Sequence, residues 1–234
     1  MRRLNSLTNS AAGDLLGQIA RPPAEVDAAA YRNAMTELGR QFVRINAHRI
    51  SRLKRVLLVC TNEDADYLGR GVLDGLAEMV EIETHLACFW NEREVLVGPG
   101  SNRRIDLAPI VRRYVEPGDA DALIVVKSII SSACVVRTNI AELAYRLNPA
   151  SILVFAPVIR KGAEDKLRNE FERSISDRFE FYWFAEDDEM DGENVVPGIG
   201  GQIYERLGIG TRADKNGYIP MLVKERRTVP VQSR

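Results

Sequence analysis

The stretch ALIVVKSIISSACV at residues 122–135 decides the fold of this chain. Leu123-Ile124-Val125-Val126 is a continuous apolar run as long as one strand buried on both faces, the pattern of a parallel sheet. It passes into small and hydroxylated residues, Ser128, Ser131, Ser132, Ala133 and Cys134, and then into a helical stretch over about 136–147. Strand, small polar loop and helix in that order gather backbone N–H groups and hydroxyls at a helix N-terminus, a natural anion site. The layout is that of a phosphate-cradling loop, but its first polar side chain is a lysine, Lys127, and it carries no acid.

The same grammar recurs on either side. Val56-Leu57-Leu58-Val59-Cys60 reads as a second buried strand, followed by the polar loop Thr61-Asn62-Glu63-Asp64-Ala65-Asp66 and a helix over 67–79. Residues 81–89 are strand-like, and 90–106, centred on Gly98-Pro99-Gly100-Ser101-Asn102, read as a hairpin or flap. Glu116-Pro117-Gly118-Asp119 is a turn. Ile152-Leu153-Val154-Phe155-Ala156-Pro157-Val158 is a further buried strand, and a helix over 163–175 and the run 179–184 extend the series. Strand and helix alternating at this spacing predict an α/β fold, an open and mainly parallel sheet flanked by helices with right-handed crossovers. Upstream, Tyr31, Met35, Leu38, Phe42 and Ile45 recur at helical steps and form one apolar stripe, which either caps the domain or meets another subunit. Residues 1–23 are small and polar and close on Arg21-Pro22-Pro23, so the expected organisation is a flexible N-terminal arm, 1–23, and a single domain, 24–234.

Composition narrows the function. The 234 residues are 45% hydrophobic, enough for a sizeable core. Thirty-two lysines and arginines nearly cancel thirty-three acids, so no global field recruits nucleic acid or an anionic membrane. Cys60, Cys88 and Cys134 lack metal or disulfide spacing and fit a reducing compartment as structural thiols. The N-terminal residues lack an uninterrupted apolar signal core, and no segment reaches the ~20 apolar residues of a membrane helix, so the cytoplasm is the expected location.

Ligands of open α/β sheets bind beyond the carboxyl ends of the strands, so the loops after Cys60, Val126 and Val158 should share one crevice. Thr61, Asn62, Glu63 and Asp64 are the candidates on one side of it, with a solvated polar loop as the plainer reading. Arg103 and Arg104 stand beside the flap, where surface arginines are more often only solvated. Lys127 suits a phosphate at the serine-rich helix start; alternatively it points to solvent or pairs with Glu63 or Asp64. The basic residues Arg49, Arg52, Lys54 and Arg55 read as a solvated strand entry or a phosphate-facing patch. The acids Glu186-Asp187-Asp188-Glu189 could hold a cation but read better as a solvated loop. His48 and His85 stand too far apart for a triad or metal cluster. The glycine-rich VVPGIGGQIYERLGIGT at 195–211 could drape over the crevice. It fails the dinucleotide fingerprint at Ile203, and no Walker A pattern occurs.

Taken together, the helix YRNAMTELGRQF, the loop at 123–135 and the segment VVPGIGGQIYERLGIGT resemble the type I phosphoribosyltransferases, and most closely the uracil phosphoribosyltransferase branch. The resemblance spans about residues 30–225. It implies a phosphoribosyltransferase-like sheet with a hood, and a phosphate and ribose site at Lys127, Ser128, Ser131, Ser132, Ala133 and Cys134. It also implies a base site at Pro197, Gly198, Ile199, Gly200 and Gly201, a pyrophosphate side at Thr61, Asn62, Glu63, Asp64, Arg103 and Arg104, and a magnesium ion if the chain is active. The family's loop holds ribose hydroxyls on a carboxylate and closes on the 5'-phosphate with a threonine-glycine pair. Here Lys127 and Ser128 stand for the acids and Ser132 and Ala133 for the pair, and Gly201 stands where the base loop has an acid. Two functions are therefore expected: a divergent nucleobase, uracil-type transferase, or a catalytically inactive subunit acting as a nucleotide sensor or assembly scaffold. The partners implied are a phosphorylated ribose or nucleotide and a homo-oligomer or protein complex, with neither membrane nor nucleic acid.

Overall fold

The computed structural model describes residues 1–79, 82–97 and 104–228, excluding the side chains of Arg104 and Thr228. In chain order the first half comprises β1 (Arg2–Leu4), α1 (Ser10–Ala20), α2 (Ala28–Ile45), α3 (Ala47–Ile50), β2 (Arg55–Thr61), α4 (Asn62–Asp64), a π-helical turn (Ala65–Gly69) and α5 (Arg70–Met79). β3 (Glu83–Asn91), β4 (Glu94–Val97), β5 (Arg104–Leu107), β6 (Ile110–Val115), β7 (Ala122–Val126), β8 (Ile129–Ile130) and α6 (Cys134–Leu147) follow. The remainder is β9 (Ser151–Arg160), α7 (Ala163–Arg168), α8 (Arg173–Ser176), β10 (Phe179–Asp187), β11 (Glu189–Asp191), β12 (Asn194–Val196), α9 (Ile203–Arg206) and α10 (Met221–Thr228).

The central sheet runs β1-β10-β9-β7-β2-β3-β6, with β8 added beside β9. Its five core strands, β3, β2, β7, β9 and β10, are parallel, and β1 and β6 close the edges antiparallel. Numbered along the chain, those parallel strands stand in the order 2-1-3-4-5, a doubly wound arrangement whose order reverses between β2 and β7. Side chains alternate across the sheet. Val56, Leu58 and Cys60 of β2 join the core under α1, α2 and α5, while Leu57 and Val59 join the opposite core under α6 and α7. A β-carbon on Gly71 would lie 1.9 Å from the Thr36 carbonyl oxygen, so this glycine is what allows α2 and α5 to pack backbone to backbone.

The apolar stripe of α2 is taken up inside the chain: Tyr31, Met35, Leu38 and Phe42 are all buried against the sheet, and the Phe42 ring stacks on Phe155 at 4.3 Å. Residues 1–23 depart from the expected arm. β1 pairs with β10, and α1, capped by the Asn9 side chain, buries Ala12, Leu16 and Ile19 against α2. The helical spacing of those three residues, masked by the polar ones between them, is the physical reason. Helix begins at Asn62 instead of Tyr67, and the expected helix over 163–175 divides into α7 and α8. β4 and β5 pair antiparallel as the expected hairpin, whereas Gly98-Pro99-Gly100-Ser101-Asn102 and Arg103 lie outside the described residues. The basic strand entry is tied to acids, Arg49 to Glu180 and Arg55 to Asp121 at 2.7 Å.

Candidate functional site

Where the strand order reverses, β2 and β7 lie side by side and send their chains to opposite faces, which opens a crevice at their carboxyl ends. Glu63 and Asp64 enter it from the β2 side, Lys127 and Ser128 from the β7 side. Lys127 Nζ donates to Asp64 Oδ2 at 2.6 Å, to Glu63 Oε1 at 3.1 Å and to Ser128 Oγ at 3.3 Å. Asp64 also accepts from Thr61 Oγ1 at 2.7 Å and from the Ser128 N–H at 3.1 Å. The lysine is therefore neutralised within the protein: of the readings the sequence left open, it takes the pairing with Glu63 and Asp64 and not that of a free phosphate-facing cation. Its charge is where two buried carboxylates require one, since an isolated acid pair in this setting is costly.

The protonation follows from the same contacts. Burial alone would lower Lys127, but the charges of Asp64 and Glu63 outweigh it and hold the ammonium above the ordinary lysine range. Burial would raise Glu63, yet the Lys127 charge brings it below the usual carboxylate range, whereas Asp64 is pushed up by burial, reinforced by its anionic neighbour. The Tyr204 hydroxyl, desolvated and facing Glu63, is pushed well above the ordinary phenol.

A cavity of about 100 Å³ adjoins this cluster, lined among others by Glu63, Arg93, Lys127, Ser128, Ser131 and Tyr204. It continues into a pocket of about 150 Å³ that shares Arg93, Ser131 and Arg212 and adds Ser132, Cys134 and Arg160. A third pocket, about 240 Å³, reaches Ala133 and Arg137. The loop from Lys127 to Ala133 thus borders three neighbouring pockets. At its end, Ala133 holds a left-handed φ of 64° and opens α6 with no side-chain cap. The first-turn N–H groups of a helix have no intrahelical acceptor, so they are left available at the crevice floor.

The glycine loop forms the opposite wall. Ile199 and Gly201 line the cavity, whereas Pro197, Gly198 and Gly200 do not. Asp187, fully buried at the end of β10, accepts from the Gly198 N–H at 2.9 Å and from Arg2 at 2.8 Å, and Arg2 in turn donates to the Gly198 carbonyl at 2.6 Å. The acidic run thus contributes a structural ion pair in place of a cation site. Residues 207–220 cross above the crevice: Asn62 Nδ2 donates to the Lys215 carbonyl at 2.6 Å, Lys215 pairs with Glu92 at 3.1 Å, and Trp90 Nε1 donates to the Tyr218 carbonyl at 2.8 Å. Arg212 pairs with Glu193 at 3.3 Å between the two walls.

Of the residues expected from the sequence, the cavity brings together Glu63, Lys127, Ser128, Ser131, Ile199 and Gly201. Ser132, Ala133 and Cys134 line the adjoining pockets, and Thr61, Asn62 and Asp64 are buried supports. Arg103 and the Arg104 side chain lie outside the described residues. Arg93, Tyr204, Arg212 and Lys215 were not anticipated. Arg93 follows the carboxyl end of the parallel strand β3, a position the crevice rule identifies; Tyr204 lies in the segment expected to drape over the crevice, and Arg212 and Lys215 follow it, where the sequence pattern does not fix the path. A resident magnesium does not fit this set, because Lys127 already stands between the two carboxylates, and among the described residues no three potential ligands cluster.

The fold and the site define an open, doubly wound α/β protein with a polar crevice at the topological switch point. No family model and no curated protein sequence matches the chain. Among solved structures it is similar to the AQ2163 protein from Aquifex aeolicus, at a TM-score of 0.62 and 10% identity over 88% of this chain and 97% of that one, which shows a shared fold. More distant similarities are to an orotate phosphoribosyltransferase from Aeropyrum pernix (TM-score 0.39, 15% identity, 79% and 80% coverage) and to an adenine phosphoribosyltransferase (0.41, 14%, 74% and 99%).

Proposed function

We propose that the crevice binds a phosphorylated ribose or nucleotide, and that the chain is a phosphoribosyltransferase-like protein related in its site layout to the uracil branch. The observation that carries this is Ala133. A left-handed conformation costs an alanine about 1–2 kcal/mol, and here it turns the uncapped start of α6 into the crevice. Backbone strain of this kind is characteristic of ligand clamps. The anion is received by loop amides and the Ser131 and Ser132 hydroxyls, with Arg93 and Arg212 as the cations on the outer side. Ile199 and Gly201 would flank the base. Transfer in such a site would rest on positioning pyrophosphate and base around the reacting carbon.

A second reading is favoured by a specific observation, the neutralisation of Lys127. With no acid in the loop and its cation already paired, the crevice suits a nucleotide sensor or scaffold subunit that binds without turning over. Calorimetric titration with phosphoribosyl pyrophosphate and magnesium, followed by uracil and by UMP, separates the two. Binding with pyrophosphate release on adding base supports the transferase. Binding without release supports the sensor, and no binding by a folded sample rejects transferase and sensor and leaves the assembly scaffold.

A further inference from the structure

We propose that residues 208–217 are a lid over the crevice, latched shut by Glu92, and that a ligand enters and leaves only when the latch releases. The inference rests on the ligand-binding reading above and adds the element that controls access. The cavity beneath the strap holds about 100 Å³, well below the roughly 300 Å³ at which pockets begin to take a ligand of nucleotide size. Two of its lining residues, Arg212 and Lys215, come from the strap itself. A nucleotide therefore fills this part of the crevice only if the strap lifts.

The strap is built to lift. Of residues 208–217 only Lys215 is buried, so no apolar side chain anchors the segment to the core, and elements held this way lie at the low end of local stability. Its middle is a self-contained turn, in which Asp214 accepts from the Thr211 N–H at 2.9 Å and hydroxyl at 2.8 Å, and the Gly217 N–H donates to the Asp214 carbonyl at 3.0 Å. On one side Gly208 and Gly210, at φ of 62° and 106°, supply the backbone freedom of a hinge. Both ends are fixed. Arg32 Nε donates to the Leu207 carbonyl at 2.7 Å, and Asp66 accepts from the Tyr218 hydroxyl and from the Met221 and Leu222 N–H groups that open α10.

Between those ends, Glu92 holds the strap to the loop between β3 and β4. One of its oxygens pairs with Lys215 Nζ at 3.1 Å and the other accepts from Asn216 Nδ2. The Asn62 bond to the Lys215 carbonyl adds a third tie at the same point. Glu92 is 39% exposed, so water can replace it when the strap opens, which is what a reversible latch requires. Neither Glu92 nor Asn216 lines the cavity, so substitutions at these positions act on the lid without removing a contact to the ligand.

The test combines hydrogen exchange of the full chain, free and saturated with UMP, with the dissociation rate of radiolabelled UMP in a chase, on the wild type, Glu92→Ala and Asn216→Ala. Bound UMP should slow exchange across 208–217 at least about fivefold. Loss of an ion pair and a hydrogen bond in Glu92→Ala should quicken both strap exchange and UMP dissociation by about three- to tenfold, and Asn216→Ala by about two- to threefold. Exchange of 208–217 that ignores bound UMP overturns the inference, as does strap exchange unchanged in both variants. Faster exchange in Glu92→Ala with an unchanged dissociation rate overturns it too, because the strap then opens without gating the ligand. In each of these cases UMP still binds and the reading above stands, whereas absence of UMP binding by the folded wild type overturns both.

Discussion

Lys127→Met removes the ammonium from the Glu63–Asp64 cluster while keeping the length of the side chain. The lysine side chain is 6% exposed and its two partners 8% and 0%, so water cannot replace it. Breaking a buried pair by deleting one partner costs about 3–5 kcal/mol, against a total of about 5–15 kcal/mol for a domain. For a chain of this size that is a fall in Tm of roughly 6–20 °C. The pH dependence gives the sharper test. In the wild type, Glu63 is depressed, so its contribution is present above its unfolded value and is lost as pH falls through the folded one. Lys127 is raised, so its contribution is complete at neutral pH and lost only as pH rises through its elevated value. Without the lysine both carboxyls are raised by burial and by each other, and the folded variant takes up protons that the unfolded chain, near pH 4, does not. The gap between wild type and variant should therefore be widest near pH 8 and narrow by 1 kcal/mol or more at pH 5 in urea unfolding. A loss below about 1 kcal/mol at pH 8, or a gap of equal size at both pH values, refutes the reasoning. Lys127→Asp, which adds a third carboxylate, should be worse than Lys127→Met at pH 8.

Two further substitutions probe the walls. Asp187→Asn leaves the half-buried Arg2 without its anion and weakens the hold on Gly198, and should cost about 1–3 kcal/mol in urea unfolding, with hydrogen exchange accelerating in residues 2–4 and 198–201. Ala133→Gly removes the left-handed penalty and should leave the chain as stable or more so by up to about 1 kcal/mol, whereas the β-branched Ala133→Val should lose about 2 kcal/mol or more by thermal melting.

Much of the fold was legible because buried parallel strands advertise themselves: Val56 to Cys60, Leu123 to Val126 and Ile152 to Val158 are runs that no amphipathic helix would carry, and all three lie in the core of the sheet. The limits of the elements were less so. Asn62 to Asp64 look like a polar loop because three of four residues from Thr61 carry acids or an amide, yet each is buried with a partner far along the chain: Lys127 for Glu63 and Asp64, Lys215 for Asn62. The N-terminal segment was misread for a related cause. Arg2 reads as a terminal charge until Asp187 and Gly198, more than 180 residues away, are brought to it. Local pattern reports which residues are polar; it does not report which charges cancel.

That distinction governs the site. Read along the chain, Lys127 stands beside a serine-rich helix start with no acid in its own loop. Across β2 and β7, which pair in register from Val56 with Ala122 to Val59 with Val125, the same lysine faces two carboxylates, one of them at the cavity wall. Read alone, the loop after β7 offers no carboxylate, whereas the pair of adjacent loops presents one at the cavity wall, a juxtaposition that strand pairing creates and no single stretch of sequence displays.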